Sequence, residues 1–292
     1  MSKDIFFSII IPTYNRVKKI EIAITSVINQ TYKNWELIIV DNKSKDKTKD
    51  LIKSYNNKKI SFYEIENNGV IAKSRNYGIK NSCGEYLCFL DSDDRWDQNK
   101  LQYVNLAAQK GYSFIYHDHY ILSPERLINK RKIVNKTLTK PVYNKLVKYG
   151  QSFATSSVTV KKDMFKRIGC FDIDRKYIAW EDFDAWIRLS KITNNFHKID
   201  KLLSIINIDN TNFLNDKLKI KNTYLFINKY IKNTKKIPNW CLYNILVAEY
   251  NLSNFIEVKK KLNEIIFFEL NLKKKINFIR IYLFTFLNKF SF

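Results

Sequence analysis

Residues 84–96 read GEYLCFLDSDDRW, an apolar segment followed directly by a cluster of aspartates. An apolar run from Tyr86 to Leu90 ends directly in Asp91, and Asp93 follows two residues later. Alternate side chains of an extended chain share one side of the strand. The stretch therefore predicts a buried strand that presents two carboxylates together at its carboxyl end.

A regular alternation of strands and helices precedes this stretch. The apolar runs predict strands at 6–11, 37–40 and 60–65. The segments between them predict helices at 18–30, after residue 41, and at 70–81. Nearly continuous apolar strands in β-α-β-α order are typical of a parallel sheet covered by helices on both faces. We therefore expect an α/β fold with a Rossmann-like, mostly parallel central sheet.

The carboxyl ends of these strands mark one candidate cleft, because ligands of such sheets bind there. Pro12 and Thr13 follow the first strand, Asp41 follows the second, and residues 91–94 follow the fourth. These residues are not neighbours in the sequence, and the sheet would bring them together. We expect them to line a shared binding site.

The remainder of the chain changes character near residue 210. Residues 112–207 mix strand-like and helical stretches, which we interpret as the second half of the same domain with antiparallel elements added. Later segments have helical periodicity. The sequence thus predicts an α/β domain at 1–210 and a basic helical region at 211–292.

The chain is strongly basic, with 51 Lys and Arg against 28 Asp and Glu and a formal net charge of +23. Such an excess favours an anionic partner: nucleic acid, a lipid surface or a pyrophosphate-bearing substrate. No apolar stretch is long enough to cross a bilayer, and no cleavage site follows the apolar start. The four cysteines form no C-x-x-C pair. We expect a cytoplasmic protein that lies on the membrane rather than in it.

The six glycines form neither G-x-G-x-x-G nor G-x-x-x-x-G-K-[ST], the two glycine-rich phosphate-binding motifs. A bound nucleotide therefore needs another way to neutralise its phosphates. Asp91 and Asp93 are a good partial shell for Mg²⁺ or Mn²⁺, which prefer oxygen ligands and stabilise the charge of a departing diphosphate. The alternative is an acidic loop that only caps a helix.

Four motifs, in this order and spacing, resemble family 2 glycosyltransferases of the GT-A fold: FFSIIIPTYNR at 6–16, WELIIVDNKSKDKT at 35–48, NNGVIAKSRNYGIKNSCGEYLCFLDSDD at 67–94, and WEDFDAWIRL at 180–189. The resemblance covers roughly residues 5–210. It implies inverting transfer of one sugar from a nucleotide-sugar donor of the UDP type. The implied acceptor is a lipid-linked glycan in bacterial O-antigen, lipooligosaccharide or capsule synthesis.

The resemblance also implies a donor site. The residues implied for the base and ribose are Pro12, Thr13, Tyr14 and Asp41. Those implied for the phosphates, the donor sugar and a Mn²⁺ or Mg²⁺ ion are Arg75, Asp91, Ser92 and Asp93, with Asp93 and Asp91 as the metal ligands. On the residues alone, Tyr14 could belong to a turn, and Arg75 could be solvated and pair with Glu66 or Glu85.

A second acidic motif opens the helical stretch after Trp180. Glu181 and Asp182 lie in its first turn, where unpaired backbone amides stabilise anions, so capping alone could explain them. The resemblance implies that Asp182 is the general base that an inverting transfer needs, with Glu181 orienting it or the acceptor. Asp184 and Arg188, four residues apart, predict a surface ion pair.

The roles of three further features stay open. His117 and His119 flank Asp118 in YHDHY, which could hold a metal but favours a solvated edge strand or a cleft wall. Asp209 falls where relatives often carry a histidine that can approach the metal. Residues 272–290 join lysines to an aromatic apolar run, which suits either an anionic membrane interface or docking on the protein itself.

Two other functions compete with sugar transfer. A basic nucleic-acid-binding protein would use the charge, but carboxylates at 91–94 repel phosphate and no nucleic-acid-binding module is visible. A nucleotidyltransferase would use paired aspartates, but it generally has a glycine-rich nucleotide loop, and PTYNRVKK at 12–19 has no glycine. We therefore expect a glycosyltransferase without a nucleic-acid partner.

Overall fold

The computed structural model describes residues 4–123, 130–150, 153–208, 215–232 and 236–287. The chain divides into two compact units. One comprises Met1–Tyr143 and Ser152–Thr211, and the other comprises Asn144–Gln151 and Asn212–Phe292. Residues 144–151 therefore belong to the second unit, and the sequence-based division into domains at 1–210 and 211–292 stays a prediction.

The first unit is built on one mixed sheet. Its strands in the described residues are β1 (Phe7–Thr13), β2 (Trp35–Asp41), β3 (Ile60–Glu64), β4 (Tyr86–Phe89), β5 (Arg95–Trp96), β6 (Phe114–Leu122), β7 (Arg131–Ile133), β8 (Val158–Lys161) and β9 (Phe196–Asn207). Their order is β3-β2-β1-β4-β8-β6-β9-β5, with β7 paired to β6. The predicted α/β class with a mostly parallel sheet is confirmed.

The amino-terminal half of the sheet is parallel, as the continuous apolar strands predict. β1 lies between β2 and β4 and is parallel to both, while β2 is parallel to β3. In this register Thr13 lies opposite Asp41, so the ends of β1 and β2 meet at one edge. β8 adds an antiparallel strand beside β4, and β6 runs parallel to β9.

The helices of the first unit pack through apolar faces. They are α1 (Val17–Ile28), α2 (Thr48–Ser54), α3 (Ile71–Lys80), α4 (Lys100–Gln109), α6 (Lys162–Arg167) and α7 (Glu181–Ile192), and α5 (Val142–Tyr149) spans the division between the units. In α1 the buried residues are Ile20, Ala23, Ile24 and Val27, the spacing of one helix face. Gly84 lets the start of β4 approach β1, because a Cβ there would lie 2.5 Å from the Ser8 nitrogen.

The second unit is helical. Its further helices are α8 (Asp216–Phe226), which continues into a π-helical turn at Ile227–Ile231, α9 (Asn239–Asn251), α10 (Phe255–Glu264) and α11 (Leu272–Leu287). Leu246, Val258 and Ile281 are among the residues of its own core. Across the described ranges, none of the helices has both the length and the hydrophobicity that a bilayer crossing requires.

Candidate active site

The acidic residues after β4 form a turn, which we call the D-x-D turn (residues 91–94). The Asp94 amide donates a hydrogen bond to the Asp91 carbonyl at 3.0 Å, so this segment is not extended. The argument that strand alternation brings Asp91 and Asp93 to one side is therefore wrong. The turn gives its three carboxylates different neighbours: Arg75 for Asp91, Arg16 for Asp93, and Ser156 for Asp94.

Asp94 anchors the D-x-D turn from within the protein. It is buried and accepts hydrogen bonds from the Ser156 hydroxyl at 2.6 Å and the Asn207 amide at 2.9 Å. Burial raises the pKa of Asp94 well above its usual range, and the charge of Asp91 raises this pKa further, while the Ser156 hydrogen bond opposes both. Asn207 also donates through its side chain to the Asp93 carbonyl. The end of β9 therefore helps to fix the turn.

Arg75 connects the two acidic motifs of the sequence. Its guanidinium lies 2.7 Å from an Asp91 oxygen and 2.7 Å from a Glu181 oxygen, and the side chain is almost fully buried. Burial acts to lower the pKa of Arg75, but the charges of Asp91 and Glu181 outweigh it and raise that pKa. The alternative of a solvated Arg75 paired with Glu66 or Glu85 is therefore excluded, and its role near the donor stays a prediction.

The second acidic motif begins α7. Asp182 accepts hydrogen bonds from the Phe183 amide at 2.6 Å and from the Thr155 hydroxyl at 2.9 Å. Burial raises the pKa of Asp182 to about 6, and the neighbouring charge of Glu181 raises it too, whereas Arg75 acts to lower it. Glu181 accepts from Arg75 and from the Trp180 amide. These hydrogen bonds hold both carboxylates at the start of α7.

A short turn at Thr155–Ser157 makes a second bridge between the motifs. Thr155 donates to Asp182, while Ser156 donates to Asp94 and accepts from the Asp91 amide at 3.0 Å. Sequence reasoning missed this turn because it belongs to a stretch without a recognised motif. Its one signal is the run of three hydroxyl residues before β8.

The residues implied for the donor base lie where β1 and β2 end. Asp41 is fully buried and accepts hydrogen bonds from both the amide and the hydroxyl of Ser44, and burial raises its pKa against these bonds. Ser44 also accepts from the Asn15 amide, so the β1–α1 and β2–α2 loops are joined. Tyr14 is 48% exposed beside them. The roles implied for Pro12, Thr13, Tyr14, Asp41 and Ser92 stay predictions.

The amino terminus of α1 is already occupied by a carboxylate. The Val17 amide donates to Asp46 of the β2–α2 loop at 3.2 Å, and the Arg16 amide donates to Thr48. A free helix terminus is a common phosphate-binding site. Its capping here agrees with the missing glycine-rich loop, and the phosphates of a nucleotide need a different counter-charge.

Asp93 and Asp91 form a donor set that fits a divalent cation. Burial raises the pKa of Asp93, as does the charge of Asp91, and Arg16, 3.5 Å away, opposes this. Within the part of the chain that the structure describes, three or more metal-binding side chains nowhere converge. Mg²⁺ is usually held by one or two carboxylates, with substrate phosphates completing its shell. Asp91 and Asp93 supply oxygen atoms of this kind, and their role as metal ligands stays a prediction.

Two expectations about other polar residues are wrong. Asp184 is fully buried, and its pair with Arg188 at 2.7 Å is not a surface pair, because Arg188 also donates to the carbonyls of Ile168 and Cys170. For His117 the interpretation as part of a solvated edge strand is wrong, because it is fully buried in β6 between β8 and β9, and the alternative of a cleft wall stays a prediction. Asp209 lies outside the described residues.

Comparison with known proteins identifies the fold class first. S. aureus TarS, residues 1–349, has a similar structure, with a TM-score of 0.63 at 18% identity over 96% of this chain and 80% of that one. The fold is therefore that of the GT-A glycosyltransferases. The model of glycosyl transferase family 2 matches residues 8–169, more than half of the chain. The chain belongs to this family, and the match ends before α7.

Relatives with a similar sequence include two bacterial proteins. An uncharacterized glycosyltransferase of Rickettsia typhi, RT0329, is 34% identical over 67% of this chain, and the match spans 62% of that relative's length. WfgD of Escherichia coli is 29% identical over 87% of this chain and 94% of its own length. WfgD is named as a UDP-Glc:α-D-GlcNAc-diphosphoundecaprenol β-1,3-glucosyltransferase.

Proposed function

We propose that this chain transfers one sugar, with inversion, from a nucleotide-sugar donor to a hydroxyl of a lipid-linked glycan. One observation carries the proposal. Arg75 contacts both Asp91 and Glu181 at 2.7 Å, so the D-x-D turn and the start of α7 belong to a single site. Neighbouring carboxylates can then hold a metal ion beside the donor diphosphate and accept the proton of the acceptor hydroxyl.

Asp182 is the proposed general base. In an inverting transfer the acceptor oxygen attacks the anomeric carbon, the bond to the diphosphate breaks, and a carboxylate takes the hydroxyl proton. The raised pKa of Asp182, about 6, makes it a stronger base than an ordinary aspartate while it stays mostly ionised at pH 7. Glu181 is tied to Arg75 and holds the start of α7 in place.

Asp93 and Asp91 are the proposed ligands of Mn²⁺ or Mg²⁺. A bound divalent ion supplies positive charge beside the leaving diphosphate. Arg75 holds Asp91, and Asn207 and Ser156 hold the backbone of the turn, so the carboxylates are in place before a ligand arrives. Such preorganisation avoids rearrangement during the reaction.

We infer the classes of donor and acceptor from the relatives of this chain. We propose a UDP-sugar donor, with Pro12, Thr13, Tyr14 and Asp41 at the base and ribose and Ser92 near the phosphates. The acceptor would be a sugar on a polyprenyl diphosphate, because WfgD is named for such a substrate and matches 87% of this chain.

Product analysis tests the proposal. The purified chain with Mn²⁺ is supplied with separate nucleotide sugars and a synthetic polyprenyl diphosphate sugar, and both nucleotide release and the extended lipid are measured. We expect acceptor-dependent release from a UDP-sugar and a product whose new glycosidic bond has the anomeric configuration opposite to the donor. Retention of configuration, or release that does not depend on the acceptor, would contradict it.

A further inference from the structure

Helix α11 has two apolar faces, of which its own unit covers one. Phe278 and Ile281 are buried and belong to the core formed with α9 and α10. Asn277 donates to the Tyr243 hydroxyl at 3.1 Å on the same side. These contacts dock the helix, so for residues 272–287 the interpretation as a docked helix is correct for one face only, and residues 288–290 lie outside the described residues.

The second face is an exposed stripe. Its members are Leu272, Ile276, Ile279, Leu283 and Phe286, with exposed fractions between 74% for Leu272 and 37% for Phe286. Their spacing of four, three, four and three residues places them within an arc of about 80°, since each residue turns the helix by about 100°. This exposed stripe lies opposite Ile281.

Basic residues border the exposed stripe on both sides. At the same angular step, Lys273 and Arg280 fall on one flank and Lys275 on the other, and 272–287 contains no Asp or Glu. The Lys275 ammonium lies 5.9 Å from the ring of Phe268, which is 86% exposed and extends the apolar surface on that flank. Apolar residues flanked by lysine and arginine are typical of helices that lie in a membrane interface.

We propose that the exposed stripe of α11 inserts into the interface of an anionic bilayer. A second copy of the chain is a poorer occupant, because two such helices bring four cations each and no acidic group to neutralise them. The helix has 16 residues and is about 24 Å long, which is shorter than a bilayer core of about 30 Å. A position in the interface of an anionic bilayer fits both the length of α11 and its positive charge.

This inference deepens the proposed function, since it names the surface at which a lipid-linked acceptor is met. An interfacial helix keeps its lysines at the headgroups while its apolar residues reach the upper acyl region. The chain would then concentrate on the membrane that holds its acceptor. Binding to lipid does not require the sugar transfer, so the two proposals can be tested separately.

Vesicle sedimentation of the full chain tests the exposed stripe. We expect binding to vesicles of phosphatidylcholine with phosphatidylglycerol, little binding to phosphatidylcholine alone, and loss of binding as salt is raised. The triple variant I276N/I279N/L283N should bind the anionic vesicles at least tenfold more weakly. Leu106→Asn, which changes a 50% exposed leucine of α4, is the matched control and should bind normally.

A charge variant separates the two contributions. K273Q/K275Q/R280Q keeps the apolar residues and should weaken binding to anionic vesicles by on the order of a hundredfold, since each basic residue near such a surface contributes roughly fivefold. Equal binding of the wild-type chain to neutral and anionic vesicles would overturn the proposal. So would a concentration-dependent dimer in light scattering that the stripe variant abolishes, because a second copy would then cover the stripe.

The folded state and the donor site provide independent readouts for these variants. Circular dichroism and the thermal midpoint should be unchanged, because all the substituted side chains are exposed or border the stripe. UDP with Mn²⁺ should raise the midpoint of the wild type and of the stripe variant equally. Vesicle binding without any donor-induced shift of the thermal midpoint would count against the proposed function and leave the membrane proposal intact. A donor-induced shift without vesicle binding would overturn the membrane proposal and leave the proposed function intact.

Discussion

Two adjacent carboxylates, Glu181 and Asp182, have different surroundings, which suit them to the different roles proposed for them. Glu181 accepts hydrogen bonds from Arg75 and from the Trp180 amide, so both of its oxygens have fixed partners. Asp182 has one neutral donor, Thr155, and one amide of its own helix. Its charge is less stabilised, and that difference suits it to take a proton.

Asp182→Asn should abolish sugar transfer and leave donor affinity nearly unchanged. An amide of the same size keeps the packing but cannot accept a proton, and general-base catalysis contributes about 10²–10⁴-fold. Initial rates and UDP-sugar titration calorimetry measure the two effects. Asp163→Asn, at a 63% exposed carboxylate of α6, is the matched control. Loss of donor binding in the Asp182 variant would show that its role has been mistaken.

Transfer should also lose rate as the pH falls through about 6. Burial and the Glu181 charge raise the pKa of Asp182 to about 6 against the effect of Arg75, so protonation removes the base below that value. A profile of kcat/KM against pH, with donor binding measured at each pH, is the test. A rate that stays constant down to pH 5 would exclude Asp182 as the base.

Arg75→Gln should cost far more stability than Lys43→Gln. Removing Arg75 leaves Asp91 and the buried Glu181 without their counter-charge, and breaking a buried pair costs about 3–5 kcal/mol. Lys43 forms an exposed pair with Glu66 at 2.9 Å, and solvent screens such a pair, so its loss should change the free energy of unfolding little. Urea unfolding measures both, and equal losses would contradict the bridging role of Arg75.

The turn at Thr155–Ser157 shows how one short element can set the geometry of two others. It contacts the D-x-D turn through Ser156 and α7 through Thr155. The Trp96 indole of β5 donates to the Ser156 carbonyl at 2.8 Å and fixes the turn from behind. Its position therefore helps to set the separation of the proposed metal ligands from the proposed base.

Ser156→Ala should loosen the D-x-D turn without removing any proposed ligand. It deletes the hydrogen bonds to Asp94 and from the Asp91 amide, and a lost buried partner costs about 1–3 kcal/mol. We expect a lower unfolding free energy and a several-fold weaker Mn²⁺-dependent binding of UDP. Ser157→Ala, whose hydroxyl donates to the nearby Ala154 carbonyl, is the control. Unchanged Mn²⁺ dependence would limit Ser156 to a structural role.

The parallel half of the sheet could be predicted because a buried strand needs a continuous apolar run, and Trp35–Asp41 and Tyr86–Phe89 have one. The bridges of the site could not. Ser156 and Asp94 are 62 positions apart, and Arg75 and Glu181 are 106 apart. The hydrophobic periodicity of a sequence does not predict contacts between residues so far apart. The acidic motifs indicated the chemistry, while their arrangement required the folded chain.

The binding of a donor and a metal ion should depend on the folding of the whole first unit. The proposed donor, metal and base residues come from β1, β2, α3, the D-x-D turn and α7, which exist together only in the folded first unit. A ligand that binds only the folded state stabilises it, by about 2.7 kcal/mol at about 100 times its Kd. Binding should therefore be visible as resistance to heat.

UDP and Mn²⁺ together should raise the thermal midpoint by several degrees, and neither alone should do so fully. Asp93→Ala should remove the Mn²⁺-dependent part, because a single carboxylate holds the ion poorly. Glu66→Ala, at an exposed carboxylate, should keep the complete shift. Differential scanning fluorimetry with and without a chelator is the measurement. A full shift in chelator would count against the metal assignment.

The Ser44 hydroxyl, which donates to Asp41 and accepts from the Asn15 amide, has a consequence for how donor preference can evolve. The Lys45 amide returns a hydrogen bond to the Asn15 side chain at 2.7 Å, so the two loops form one interlocked rim. A mutation in either loop disturbs the other. New specificity would therefore arise by paired substitutions, and grafting a single loop from a homologue would leave an incompatible partner.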